Sequence, residues 1–255
     1  MKKYKVIIFG SSGMLGNQII KEFLKDKKFK IFEMNRKKKN KSIKIDLEKK
    51  TQLIQKIVTV KPDFIINCIG WIKQKKINKT KAYEINSEFP LFLSKLAILL
   101  DFKLIHISTD CVFSGLKGNY TETDYKDAKD LYGLSKSLGE VKNINSCTLR
   151  TSIIGPEIKK KKFGLLEWFL SQREKIIGYN KVFFSGLTTL ELSKVIRMNL
   201  LNKSIYNQIL NVSSKPISKY ELLKLIKKTF KKDIKIDRSN KIKLNRSLNS
   251  RKFKK

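Results

Sequence analysis

Tyr132 and Lys136, in the stretch DLYGLSK, stand four residues apart, and on a helix that spacing places a phenol and an amine on one face. A phenol beside an amine can move a proton. Spacing alone does not establish this, because 57 Lys plus Arg include only seven arginines, at 36, 150, 173, 197, 238, 246 and 251. With 8 tyrosines and so many lysines, about 1.6 Tyr-x-x-x-Lys pairs arise by chance. Three occur: Tyr125/Lys129, Tyr132/Lys136 and Tyr220/Lys224.

Surroundings discriminate among the three. Tyr125/Lys129 falls in the polar run TETDYKDAKD, a solvated loop, and Tyr220/Lys224 opens the amphipathic stretch YELLKLIKK, far along the chain. Tyr132/Lys136 follows HISTDCVFSG (106–115), which leaves a strand carrying Ser108, Thr109 and Asp110 at the edge where ligands of parallel sheets bind.

A second chemical feature lies at FGSSGMLG (9–16). Gly10, Gly13 and Gly16 come directly after an apolar strand and lead into a helix, the pattern of a turn that lets backbone approach a pyrophosphate. Ser12, Met14 and Leu15 complete this candidate cofactor turn. Where a domain reading NAD usually places an acidic residue, this chain has MNRKKK; Asn35, Arg36 and Lys37 suit a 2′-phosphate, which favours NADPH and leaves NADH possible. Asp46 either touches the adenine or caps the helix after it. Leu47, Ile69 and Gly70 are the further candidate cofactor contacts.

The elements that must carry these residues alternate. Strands are expected at 4–9, 29–34, 42–45, 63–69, 103–108 and 147–152, with helices at 14–26, 49–59, 82–100 and 132–143 and a kink or break at Pro90. That order predicts an α/β fold, a Rossmann-like doubly wound parallel sheet over 1–155. Beyond it, helices at 164–174, 188–201 and 218–231 and strands at 181–184, 206–211 and 233–236 suggest a smaller substrate lobe over 156–255, which can interleave with the first part.

Composition bounds the function classes. The 255 residues are 41% hydrophobic, enough for a sizeable core. No apolar run approaches a bilayer span and the start is too short in apolar residues for a signal peptide, so a cytoplasmic protein without membrane insertion is expected. Cys68, Cys111, Cys147 and the single His106 form no recognisable zinc or disulfide pattern, and no metal is expected. The net charge of +35 is scattered over nearly every segment and poor in arginine, which argues against specific nucleic-acid binding. The runs RKKKNK (36–41) and KKKK (159–162) read as solvated loops.

Taken in order, the glycine turn, KPDFIINCIG, HISTDCVFSG, DLYGLSK, LRTSIIG, TTLELSKVI and the tail NRSLNSRKF resemble the dTDP-4-dehydrorhamnose reductase family of extended short-chain dehydrogenases, from residue 4 to about 252. The resemblance implies a catalytic triad of Thr109, Tyr132 and Lys136. Lys136 would lower the pKa of the Tyr132 phenol, Thr109 would bind the carbonyl oxygen, and NADPH would supply hydride. It implies reduction of the 4-keto group of a nucleotide-linked 6-deoxyhexose for surface polysaccharide or O-antigen, and a possible homodimer. Asp110, Cys111 and Ile153 fall on the substrate side. The family carries tyrosine where this chain has Cys111, and tryptophan where it has Ile153, which leaves the sugar open. The chain also ends at Lys255, earlier than the resemblance implies, which leaves the last packing elements of the substrate lobe open. Alternatives are another nucleotide-sugar reductase or epimerase, or a regulatory subunit resembling that of methionine adenosyltransferase.

Overall fold

The computed structural model describes residues 3–36, 42–72, 78–158 and 164–253. The expected alternation produces six strands in chain order: β1 (Tyr4–Phe9), β2 (Phe29–Asn35), β3 (Ile43–Lys44), β4 (Phe64–Asn67), β5 (Lys103–Thr109) and β6 (Ser146–Thr151). After β7 (Ile153–Ile154), β8 (Ile176–Phe184) and β9 (Leu187–Thr188), the chain returns as β10 (Ile209–Asn211) to the edge beside β6. The sheet runs β10-β6-β5-β4-β1-β2-β3, and all its pairings are parallel. Its order reverses between β1 and β4, which opens a crevice at their C-terminal ends.

Short strands such as FIIN, three apolar residues and an asparagine buried throughout, have both faces covered, as a parallel sheet requires. One face packs against α1 (Met14–Phe23) and α7 (Thr189–Asn199) through Ile19, Phe23, Leu192 and Ile196. The other packs against α2 (Lys50–Val60) and α4 (Phe89–Leu99) through Leu53, Ile57, Leu93 and Ala97. Thus α7 and β10, both beyond residue 155, belong to the main sheet and its cover. A smaller sheet, β8 between β11 (Ile217–Ser218) and β12 (Ile236–Asn245), packs with α6 (Leu165–Ser171) and α8 (Lys219–Thr229).

Pro90 produces no break. A short helix α3 (Lys79–Tyr83) runs through a π-helical turn at Glu84–Glu88 into α4, with Pro90 in the first turn of α4. Because proline has no N–H for the usual bond four residues back, the wider turn absorbs the fault. The widened turn is also a dock for α5 (Leu131–Leu138): Asn86 Nδ2 donates to Ser135 Oγ at 3.0 Å, and Ser87 Oγ donates to the Ser135 carbonyl at 2.6 Å. The helix stops at Leu138, short of the expected 143, and a Cβ on Gly139 would lie 1.8 Å from the Asn86 carbonyl oxygen.

Two strands of the lobe depart from expectation. Strand β12 runs over Ile236–Asn245 where one is expected at 233–236, and its burial pattern alternates poorly because half of its residues are exposed and none is buried. Strand β8 begins at Ile176, not 181, with Gly178 lying where a Cβ would meet Tyr220 and Ile236 within 3.0 Å. Residues 37–41 and 159–163, which contain most of both lysine runs, lie outside the described residues. No helix among the described residues is long and apolar enough to cross a membrane.

Candidate active site

The glycine turn forms as a cradle of bare backbone. Gly10 adopts φ +76°, and a Cβ there would press on the Cys68 and Ile69 backbone at 3.1 Å. A Cβ on Gly16 would fall 2.4 Å from the Gly10 carbonyl oxygen, so α1 can sit this close to the turn only with glycine. Such a cradle fits a pyrophosphate.

The second strand does not deliver all the expected contacts. Asn35 is buried, accepts the Ser12 N–H at 3.0 Å and donates to Ser11 Oγ. It therefore braces the glycine turn instead of reaching toward a 2′-phosphate, a correction that follows from its inward-facing position on β2. Arg36 is exposed, and Lys37 lies outside the described residues.

Ser12, Gly13, Met14 and Leu15 share one cleft of about 440 Å³ with Ile69 and Gly70 after β4. Thr109, Asp110, Cys111, Tyr132, Lys136 and Ile153 line the same cleft. Gly10 is outside that lining. Arg36, Asp46 and Leu47 line a separate hollow of about 380 Å³ with Lys50, Trp71 and Phe89. Cations and carboxylates are mixed there, since Lys81 pairs with Glu84 at 3.3 Å and also with Glu48. Of the two readings of Asp46, the helix cap fails: its carboxylate accepts the Glu48 N–H at 3.1 Å, while the cap position of α2 is Lys49.

Helix α5 is aimed by its first residues. Asp130 caps it by accepting the Gly133 N–H at 2.9 Å. A Cβ on Gly133 would lie 2.3 Å from the Cys111 carbonyl oxygen, so the glycine after Tyr132 lets the loop following β5 press against the helix. Thr109 Oγ1 accepts the Cys111 N–H at 3.1 Å, donates to Asp110 Oδ1 at 3.2 Å and is hydrogen-bonded to Tyr132. Lys136, buried on the same helix, donates to the Ile107 carbonyl at 2.7 Å and lies 3.3 Å from His106 Nε2.

Electrostatics alter one expectation. Burial raises the Tyr132 phenol, Cys111 adds to the rise, and the Thr109 hydroxyl acts the other way. The anticipated lowering by Lys136 is absent, and the loss of water around a phenolate is the largest influence on this group. Tyr132 consequently retains its proton at neutral pH. Lys136 is itself drawn down to about 8 by burial, opposed by Glu140 and Cys68. Burial likewise raises the Asp110 carboxyl, against hydrogen bonding from Ser152 and the charge of Arg246.

The base of this assembly is a buried ion network. Arg150 on β6 grips Glu140 through Nε and Nη2 at 2.7 and 2.8 Å, and Ser108 Oγ donates to Glu140 Oε1 at 2.9 Å. Lys126 approaches the same carboxylate at 3.3 Å. The charges are thereby compensated where an isolated ion would be costly.

Several site residues escaped sequence reasoning. Arg246 donates from Nε to the Phe113 carbonyl at 2.8 Å and approaches Cys111 Sγ at 3.9 Å with Nη1. Lys219, first residue of α8, is pulled down by burial while Asp110 pulls it up. Both lie beyond residue 155, Arg246 just after β12 and Lys219 at the start of α8, in segments that fold back toward Asp110 and Cys111, and nothing in local spacing marks them. Gly133 could have been found, since a glycine in the first turn of a helix is unfavourable without a packing reason. Among the described residues, no cluster of His, Cys, Asp and Glu has the makings of a metal site.

A model of the RmlD substrate binding domain matches residues 4–164. The chain is 29% identical over 139 residues to the dTDP-4-dehydrorhamnose reductase of Aggregatibacter actinomycetemcomitans, covering 53% of this chain and 45% of that protein. It spans about half the length of the curated relatives it matches. A hypothetical dTDP-4-dehydrorhamnose reductase from Sulfolobus tokodaii superposes with TM-score 0.84 at 27% identity, over 98% of this chain and 93% of that one. The dTDP-4-dehydrorhamnose reductase of Bacillus anthracis in complex with NADP gives 0.80 at 25% identity, over 94% and 85%. With the matched family model spanning the glycine turn, the strand edge bearing Thr109 and the helix bearing Tyr132 and Lys136, the chain belongs to the RmlD substrate binding domain family.

Proposed function

We propose that the protein is an NADPH-dependent oxidoreductase that reduces the 4-keto group of a nucleotide-linked 6-deoxyhexose. The observation that carries this reading is the single cleft in which Thr109, Tyr132 and Lys136 meet the glycine turn. The reductases among its relatives, one of them a complex with NADP, support the class of reaction. In this reading residues 1–155 hold the cofactor, and 156–255 supply most of the substrate lobe while also completing the main sheet.

The backbone from Gly10 to Leu15 would hold the pyrophosphate, Arg36 with Asp46 and Leu47 the adenosine end, and Ile69, Gly70, Tyr132 and Lys136 the nicotinamide side. Bound there, NADPH supplies hydride chemistry toward a carbonyl carbon. Thr109 then binds the carbonyl oxygen, and its hydrogen bond strengthens as negative charge develops. Tyr132 gives its proton to that oxygen, so the carbonyl becomes an alcohol. The Lys136 ammonium offsets the phenolate left behind. Asp110, Cys111 and Ile153, with Arg246 and Lys219 behind them, would face the sugar. Cys111 and Ile153 offer less bulk than the tyrosine and tryptophan of the resembling family, so a sugar other than 4-dehydrorhamnose remains open to the same chemistry.

The test is a screen of 4-keto nucleotide sugars with NADPH, following cofactor oxidation. Turnover that is lost in Tyr132→Phe is the expected result. Cofactor binding without turnover of any 4-keto sugar would overturn the reading and favour a regulatory subunit.

A further inference from the structure

We propose that Asn67 and His106 are positioning residues for Lys136, forming a tautomer lock in which Asn67 fixes the His106 proton on Nε2, directed at the lysine Nζ. The spectroscopic part of this inference stands without the proposed reduction, and only its kinetic part rests on that reading.

Asn67 ends β4, His106 lies opposite it in register on β5, and both are fully buried. The Asn67 amide has one orientation available: its Oδ1 accepts the Ile69 N–H at 3.1 Å, which turns Nδ2 toward His106 Nδ1, also at 3.1 Å. An amide NH₂ is donor only, so Nδ1 must be the acceptor and the ring proton must sit on Nε2. That nitrogen is 3.3 Å from Lys136 Nζ.

The consequence is a selective contact. An Nε2–H aimed at an ammonium finds no lone pair, whereas the same N–H aimed at an amine finds one. Lys136 keeps the Ile107 carbonyl as acceptor in either state. Burial first, and then Lys136, hold His106 well below its ordinary range, so the ring does not escape the conflict by becoming an imidazolium. The other titratable groups around Lys136 are Tyr132 on its own helix, Glu140 two residues past that helix and Cys68 after β4. Burial pushes the Cys68 thiol up to about 12, which keeps it neutral, and Glu140 is already gripped by Arg150. His106 is therefore the neighbour whose proton position can bias Lys136 toward the amine.

Because the chain contains one histidine, imidazole-labelled [15N]histidine protein gives a single ring signal to follow. The expected spectrum is the neutral Nε2–H tautomer across about pH 6 to 8, a range in which an unperturbed ring would change charge. As Lys136 titrates, at about 8, the His106 resonances should step, and Lys136→Met should abolish the step. Asn67→Asp keeps an acceptor for the Ile69 N–H but replaces the donor facing His106. It should move the proton to Nδ1, make Nε2 an acceptor for the ammonium and shift the step upward by about one pH unit or more. The alkaline limb of turnover should move with it. An Nδ1–H tautomer or an imidazolium in the parent, or a step that survives Lys136→Met, would overturn the lock. Should Asn67→Asp fail to fold, the parent and Lys136→Met spectra still decide. Absence of turnover with every sugar counts against the proposed reduction only, since the spectra require no substrate.

Discussion

Helices α5 and α8 present the same Tyr-x-x-x-Lys spacing in opposite settings. On α5, Lys136 is buried against a strand carbonyl and a histidine, and Tyr132 is hydrogen-bonded to Thr109. On α8, the Lys224 side chain is 53% exposed, pairs with Glu221 at 3.4 Å and lies 5.4 Å from the centre of the Tyr220 ring. Spacing sets a helix face, but burial and strand contacts decide whether that face has chemistry to do. An exposed pair of this kind is held by interactions worth about 1 kcal/mol or less.

The sharpest way to break the comparison is Tyr132→Phe. Loss of the proton donor should lower kcat by roughly 10²–10⁴ with NADPH affinity largely retained, measured by steady-state kinetics and cofactor titration. Equal turnover in the parent and variant would remove the distinction between the helices.

Next in size is the pH dependence. Lys136 is an ammonium below about 8, so kcat should be level beneath that value and fall as pH rises through it, by about tenfold per unit. A flat profile to pH about 10, close to the value of an unperturbed lysine, would show that burial does not govern the α5 lysine.

Arg36→Ala should reduce kcat/KM for NADPH by about tenfold while leaving NADH nearly unchanged, as loss of one exposed charge-assisted contact predicts. Gly133→Ala probes the packing of α5 without touching its reactive groups. Its Cβ would meet the Cys111 carbonyl oxygen at 2.3 Å and the Ala128 Cβ at 2.6 Å, so a loss of about 1–3 kcal/mol in stability is expected by thermal unfolding. Smallest of all, Tyr220→Phe and Tyr125→Phe should stay within about threefold of the parental rate, since neither hydroxyl has a place in the proposed proton transfer. Tyr125 is 86% exposed.

What could be read from sequence follows the range of the interactions. The glycine turn, the first six strands and the pairing of Tyr132 with Lys136 depend on neighbours within about a dozen residues, and periodicity reports those. Thr109 joined them because a strand end fixes its position. Asn35 misled because a polar residue at a strand end reads the same whether it faces a ligand or ties down the next loop. Arg246 and Lys219 reach Asp110 and Cys111 only through tertiary folding, and β12 hides its period because so much of it is solvated. His106 was legible only as a lone histidine. Its meaning depends on the register that sets it opposite Asn67.

The loop after β5 has a further property that concerns time. Tyr120 stacks on Phe113 at 4.2 Å, donates its backbone N–H to the Ser247 carbonyl and accepts the Asn249 N–H, each at 2.8 Å. The segment following Thr109 is thus clasped by residues more than a hundred positions later. A ribosome adds about 5–20 residues per second, so Thr109, Tyr132 and Lys136 leave the exit tunnel several seconds before their clasp exists. A nascent chain can close most of the parallel sheet during translation, but this loop must wait for residues 245–249 to emerge. Synthesis stalled ahead of that segment would leave the loop unclasped and open to proteases, although Thr109, Tyr132 and Lys136 had already been made.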